Sequence, residues 1–219
     1  MTKLSEDELI ELANRYSYSA LLERYKVMEK YMDIKEGSTV IDGGAFHGDM
    51  AQYFSKKVGR DGNVYSFEPL KYNLIILNEI IYKYDLRNVN IIPKALWNKR
   101  DRIPFYLSDY QNAGSPLKEF RKVKKEKFLK IQADSLDNIV KNLNIKKVDY
   151  VWMNIEGSEI NALKGMKKTL KDNKCKLCIS THKVNDDYTS TNDVIKILNE
   201  YGYKTELVNS HEKWVYAEK

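Results

Sequence analysis

Asp42, Gly44, Gly48 and Glu68 are the residues whose types and spacing imply chemistry most directly. They lie in Val40-Ile41-Asp42-Gly43-Gly44-Ala45-Phe46-His47-Gly48-Asp49 and in the later stretch Val64-Tyr65-Ser66-Phe67-Glu68-Pro69. A strand, a glycine turn, a helix and a second strand closed by an acid form an order on which nucleoside cofactors bind. The glycines admit close backbone approach, and an acid about twenty residues on accepts from ribose hydroxyls. The G-x-x-x-G spacing differs from the G-x-G-x-x-G of dinucleotide sites, which seat a diphosphate on a helix N-terminus. A wider spacing opened by an acid suits a cationic nucleoside without a phosphate, which points to S-adenosylmethionine and away from NAD. Asp42, beneath the turn, needs a cationic or hydrogen-bonding partner. The cofactor's methionine amine would serve; simple helix capping is the alternative. Glu68 is placed to accept from both ribose hydroxyls, and Pro69 stops the strand.

A second group of polar residues interrupts an apolar run at Val151-Trp152-Met153-Asn154-Ile155-Glu156-Gly157-Ser158-Glu159. Polar side chains at the mouth of a strand are where substrate chemistry is expected. Asn154 and Glu156 share one side if the strand continues through them. Glu159 falls in the first turn of the next helix, where a favourable interaction with the helix dipole is the alternative explanation. His182 directly follows another strand and is the candidate base near neutral pH, ahead of His47 and His211. No histidine, cysteine and carboxylate spacing makes a strong metal site. Cys175 and Cys178 form a C-x-x-C pair, but the segment reads as a buried strand, not as the turn before a redox helix.

These residues need a scaffold that alternates strands and helices. The pattern predicts strands at 39–42, 63–67, 89–92, 148–154 and 175–180, with helices at 47–57, 70–83, 158–170 and 190–201. Two strands near 203–208 and 213–217 form a hairpin turning at Asn209-Ser210-His211. Residues 5–33 read as a helical preface opened by a Ser5/Glu8 capping box. The rhythm changes at 101–133, where two shorter strands flank the lysine-rich stretch Lys118–Lys130. Alternation of this kind implies an α/β, mostly parallel sheet covered on both faces. The chain divides into an N-terminal helical extension, 1–36, and one domain, 37–219, carrying a substrate-side insertion near 101–133.

Composition sets the outer limits. The chain has 219 residues, 42% hydrophobic and 31% charged, as in an ordinary globular domain. No run approaches the roughly 20 apolar residues of a membrane span, and the first residues lack a secretory pattern, so a cytoplasmic location is expected. A net charge of +6 permits an anionic or RNA partner without requiring one. Many of the sixteen tyrosines are expected half-buried with wet hydroxyls.

Taken together, Ile41-Asp42-Gly43-Gly44-Ala45-Phe46-His47-Gly48, Phe67-Glu68-Pro69, Ala95-Leu96, Ser135-Leu136-Asp137, Ile155-Glu156-Gly157-Ser158-Glu159 with Leu163 and Gly165, and His182 resemble the FkbM family of S-adenosylmethionine-dependent methyltransferases. The resemblance implies a doubly wound, Rossmann-like class I methyltransferase with a C-terminal antiparallel hairpin. It implies O-methylation of a sugar or other small molecule. Asp42, Gly44 and Glu68 would hold the cofactor, with Ala45, Gly48, Pro69 and Ala95 around it. Asn154, Glu156, Glu159 and His182 would serve the reaction side. Where the family usually carries Lys and Asp, this chain has Trp152 and Asn154; asparagine can orient a substrate or water but is no base. The Asn/Asp-Pro-Pro-Tyr/Phe signature of amino methylation is missing, which favours oxygen. The alternatives are an RNA methyltransferase and a non-catalytic interaction protein on the same fold.

Overall fold

The computed structural model describes residues 26–108, 113–120, 126–210 and 212–219. The helices expected before residue 26, the lysine-rich residues 121–125, Asn112 and His211 lie outside them. The described chain opens with a 3-10 turn (Lys26–Tyr31), β1 (Thr39–Gly43), α1 (Asp49–Val58), β2 (Asn63–Phe67), α2 (Lys71–Lys83) and β3 (Val89–Ile92). Shorter elements follow: β4 (Ala95–Leu96), β5 (Asp101–Leu107), β6 (Gly114–Ser115), β7 (Phe128–Asp134) and α3 (Leu136–Asn142). The chain ends with β8 (Tyr150–Met153), α4 (Glu159–Lys164), α5 (Lys167–Asp172), β9 (Lys176–Thr181), α6 (Thr191–Glu200), β10 (Lys204–Asn209) and β11 (Lys213–Glu218).

Seven strands form the main sheet in the order β10-β11-β9-β8-β1-β2-β3. Its pairs are parallel except those of β11, which runs antiparallel to both β9 and β10. The strand period of two sorts the side chains between two cores. Ile41, Val151, Met153, Leu177, Ile179 and Val215 enter one. Val40, Tyr150, Trp152, Cys178 and Trp214 enter the other, with Tyr53 and Phe54 of α1. Parity therefore puts Asp42, Ser66 and Ser180, near the carboxyl ends of their strands, on the second face.

The insertion is a small sheet of its own, ordered β4-β7-β5-β6. Alternating Ile103, Phe105 and Leu107 pack with Ile131, Ala133, Leu70 and Ala95, which holds it against the carboxyl edge of the main sheet. The very short strands β4 and β6, and the two-turn helix α3, are elements that periodicity does not register.

Two expected elements differ. The helix predicted over 158–170 is broken, because α5 has a cap from outside its own segment. Asp137 of α3 accepts from the Lys168 N–H (2.9 Å), the Thr169 N–H (2.8 Å) and the Thr169 hydroxyl (2.7 Å). The two amides are among the unsatisfied groups of a helix start. The strand predicted to 154 ends at Met153, and Glu156 (φ 52°) and Gly157 (φ 94°) turn the chain through the left-handed region. Asn154 and Glu156 therefore sit on a turn, not on one face of a strand.

Both cysteines are buried and free, and burial raises both thiol pKa values. The wet-tyrosine expectation fails in the core: the buried Tyr150 hydroxyl donates to the Tyr31 carbonyl (3.1 Å) and Tyr203 donates to the Leu170 carbonyl (3.3 Å). Among the described residues no helix is long and apolar enough to cross a membrane.

Candidate active site

The carboxyl ends of β1, β2 and β8 open into a cleft of about 210 Å³. Its first wall is the turn after β1. The Gly44 and Ala45 amides both donate to the Phe67 carbonyl (3.1 and 2.9 Å), which ties the turn to the end of β2. Gly44 has φ 87°, and a Cβ there would lie 2.1 Å from the Asn154 carbonyl oxygen; one at Gly48 (φ 94°) would lie 2.7 Å from Leu77 Cδ1. The glycines thus draw the turn against the end of β8 and against α2. Gly44, Glu68, Pro69 and Ala95 line the cleft, whereas Ala45 and Gly48 lie behind it.

Glu68 is held from both sides. Its Oε2 accepts from the Phe46 amide (3.0 Å) and its Oε1 from the Leu70 amide (2.8 Å). Burial pushes its pKa up to about 8; the Leu70 amide, the Asn73 side chain and the Phe46 amide offset part of that, and Asp42 adds to it. Asp42 is fully buried behind the wall, where Ser66, its partner in register across β1 and β2, donates to Oδ2 (2.9 Å). Its Oδ1 has no hydrogen-bond partner among the described residues. Burial raises its pKa to about 7, the Ser66 hydrogen bond opposing and Asp49 reinforcing the shift. Phe46, at φ 51°, stacks on His47 with ring centroids 3.8 Å apart. Burial lowers the His47 pKa to about 4, against an opposing hydrogen bond to Asn73, so this imidazole is neutral.

The opposite wall carries Trp152, Asn154, Glu156, Ser158 and Glu212. Asn154 Nδ2 donates to Glu212 Oε2 (3.4 Å), and the Ser180 hydroxyl donates to the same oxygen (3.0 Å). Ser180 Oγ is 3.5 Å from His182 Nε2, and His182 Nδ1 is 2.9 Å from Glu159 Oε1. Burial alone would lower the His182 pKa; the carboxylates of Glu159, Glu156 and Glu212 more than offset it and raise it above 6.5. Glu159 also accepts from the Gly157 amide (2.9 Å), which fixes the turn that presents Glu156.

The structure brings Asn154 and Glu156 into the cleft and keeps Glu159 and His182 behind its wall. Glu212, Ser180 and Asn73 were missed. Ser180 was legible in principle, since it is two residues before His182 and shares its parity. Glu212 follows the hairpin turn, and nothing local marks it, because it reaches the site only when β11 inserts beside β9. No group of three or more His, Cys, Asp or Glu suited to a metal occurs among the described residues.

The family described as Methyltransferase FkbM domain matches residues 42–205, more than half of the chain. No curated protein matches. Among solved structures, a methyltransferase FkbM from Methylobacillus flagellatus is 20% identical at a TM-score of 0.60, with 95% of this chain and 57% of that one covered. This chain therefore spans little more than half of that relative. A SAM-dependent methyltransferase from Aquifex aeolicus is 21% identical at a TM-score of 0.56, with 98% of each chain covered. A fibrillarin from Aeropyrum pernix, solved with natively bound S-adenosyl-L-methionine, is 15% identical at a TM-score of 0.56, covering 94% of this chain and 76% of that one. At these identities the likeness is one of fold.

Proposed function

Because the chain belongs to the FkbM methyltransferase family, we propose that it methylates a hydroxyl of a sugar or other small molecule. It is a methyltransferase and its cofactor is S-adenosylmethionine. The residues present suit that cofactor. The charged side chains lining the cleft among the described residues are Asp49, Glu68, Glu156 and Glu212, all acidic, and the cofactor's sulfonium and ammonium are cations. Glu68 would hold the ribose hydroxyls, exchanging its backbone donors for them. Asp42, with its unmatched buried oxygen, would act from behind the wall on the methionine amine through the Gly44 turn. Ala45 and Gly48 shape that turn, and Pro69 and Ala95 flank the nucleoside.

The bound cofactor supplies a methyl carbon already activated on a cationic sulfur. What remains for the protein is alignment and proton removal. Asn154 and Glu156 would hold the acceptor in line, and Phe105, Ala113 and Pro116 of the insertion, which line the cleft, would exclude water from the far side. The His182–Glu159 pair would set the charge behind that wall.

The observation that carries this reading is the acidic cleft at the carboxyl ends of β1, β2 and β8. It also weighs against RNA, whose phosphates such a lining repels. The two free, buried cysteines fit a reducing, cytoplasmic setting. The test is methyl transfer from tritiated S-adenosylmethionine to separate pools of methyl glycosides, polyols and phenols, of amines, and of RNA. Label in the hydroxyl pools is expected. Label confined to amines or RNA would overturn the choice of acceptor.

A further inference from the structure

We infer that Glu212 is the catalytic carboxylate that takes the acceptor's proton. This rests on the hydroxyl-methylation reading and goes beyond it by naming the group that completes the reaction.

Three observations carry it. Glu212 lines the cleft on the wall opposite Glu68, beside Asn154 and Glu156. Its Oε2 is fixed by two donors, the Ser180 hydroxyl at 3.0 Å and the Asn154 amide at 3.4 Å. No hydrogen bond engages its Oε1 among the described residues, which leaves that oxygen for the acceptor.

The donors also form a directed chain. With His182 protonated, Nδ1–H points to Glu159 (2.9 Å) and Nε2–H to Ser180 Oγ (3.5 Å). The Ser180 hydroxyl proton then has Glu212 as its acceptor. The Nε2–H and the Ser180 hydroxyl thus run toward the cleft and end on the Glu212 carboxylate, while Nδ1–H anchors the ring on Glu159. His182, buried at 6% exposure and one hydroxyl removed from the cleft, is a positioning residue in this arrangement, as is Glu159. Asn154, which cannot accept a proton, serves as a donor that aims the group that can.

The step balances without a further reagent. The acceptor oxygen forms its bond to the methyl carbon while its O–H bond breaks, the proton passing to Glu212 Oε1. The carbon–sulfur bond breaks with its electron pair left on sulfur, so the cation becomes a neutral thioether.

The test compares wild type with E212Q and E212D on methyl glycosides and on a series of phenols of falling pKa, with tritiated S-adenosylmethionine. E212Q is expected to lower kcat on the glycosides by about 10²–10⁴-fold, the usual worth of a positioned base. The loss should shrink as the phenol becomes acidic enough to ionise without help. E212D should recover part of the activity. Far-UV circular dichroism and urea midpoints matching those of the wild type establish that the variants fold.

A second readout needs neither acceptor nor cofactor. Glu159, Glu156 and Glu212 are the carboxylates that face His182 and raise its pKa. E212Q should therefore lower the His182 titration seen by ¹⁵N NMR, and S180A should reduce that coupling. Unchanged kcat in E212Q, with the wild type active on hydroxyls, overturns the role of Glu212 and leaves hydroxyl methylation standing. A kcat loss equal for every phenol, or an unmoved His182 titration, also overturns it. A wild type that labels only amines or RNA overturns both.

Discussion

Glu159 Oε1 lies 2.9 Å from His182 Nδ1, and the glutamate side chain has no exposed surface. Removing one partner of such a pair strands the other charge away from water, which costs about 3–5 kcal/mol. H182A should lose stability on that scale in urea melts, and methyl transfer should fall much further than cofactor affinity. A variant as stable as the wild type would mean that the contact is not an ion pair.

The pH dependence of stability follows from Asp42, Glu68 and His182, opposed in part by His47, whose folded pKa of about 4 costs stability as pH falls below its unfolded value. Carboxylates in the unfolded chain ionise near about pH 4, whereas folded Asp42 and Glu68 keep their protons to about 7 and about 8. Between these limits the folded state binds more protons, so stability falls as pH rises. His182 acts in the same direction. Its raised folded pKa stabilises fully below the unfolded value, and that share is lost as pH rises through the folded value. The cofactor-free protein should therefore melt lower at pH 8.5 than at pH 5.5. The opposite order would contradict the burial of both acids.

Cofactor binding should release protons, since ribose hydroxyls donating to Glu68 and a cation acting on Asp42 favour their ionised forms. Calorimetry at pH 6.5 in buffers of different ionisation enthalpy would detect it. Heats independent of buffer would count against ionisation on binding.

Gly44→Ala should disrupt the site from within. A left-handed φ costs a non-glycine residue about 1–2 kcal/mol, and the new Cβ would press on the Asn154 carbonyl at 2.1 Å. Destabilisation above that figure, with loss of cofactor binding, is expected in chemical denaturation. A stable variant with normal affinity would show that the turn is not held as described.

Trp152 offers an optical handle. It lines the cleft and packs on Trp214 with ring centroids 4.3 Å apart. Cofactor binding should alter tryptophan emission, and W152F should abolish most of that change. A full response in W152F would place the ligand elsewhere.

The main sheet and the cleft wall built by β1 and β2 were legible because their signals are local. Asp42, Gly44 and Glu68 sit at fixed offsets along one strand–helix–strand unit, and β2 and β3 match their predicted spans. The break between α4 and α5 was not legible, because Asp137 caps α5 from a different helix. The opposite wall of the cleft was half-legible for the same kind of reason. Asn154 and Glu156 announce themselves as polar residues in an apolar run, while Glu212 depends on the antiparallel insertion of β11 between β9 and β10. His182 was found at its strand end, but only packing shows that Ser180 and Glu212 stand between it and the cleft.

Glu68 is the proposed anchor of S-adenosylmethionine in this cleft, and calorimetry on wild type and E68Q is the deciding experiment. Saturable binding by the wild type that weakens at least about tenfold in a folded E68Q, a loss of about 1.4 kcal/mol, is the predicted result. Equal dissociation constants, or no binding by the folded wild type, would contradict the account.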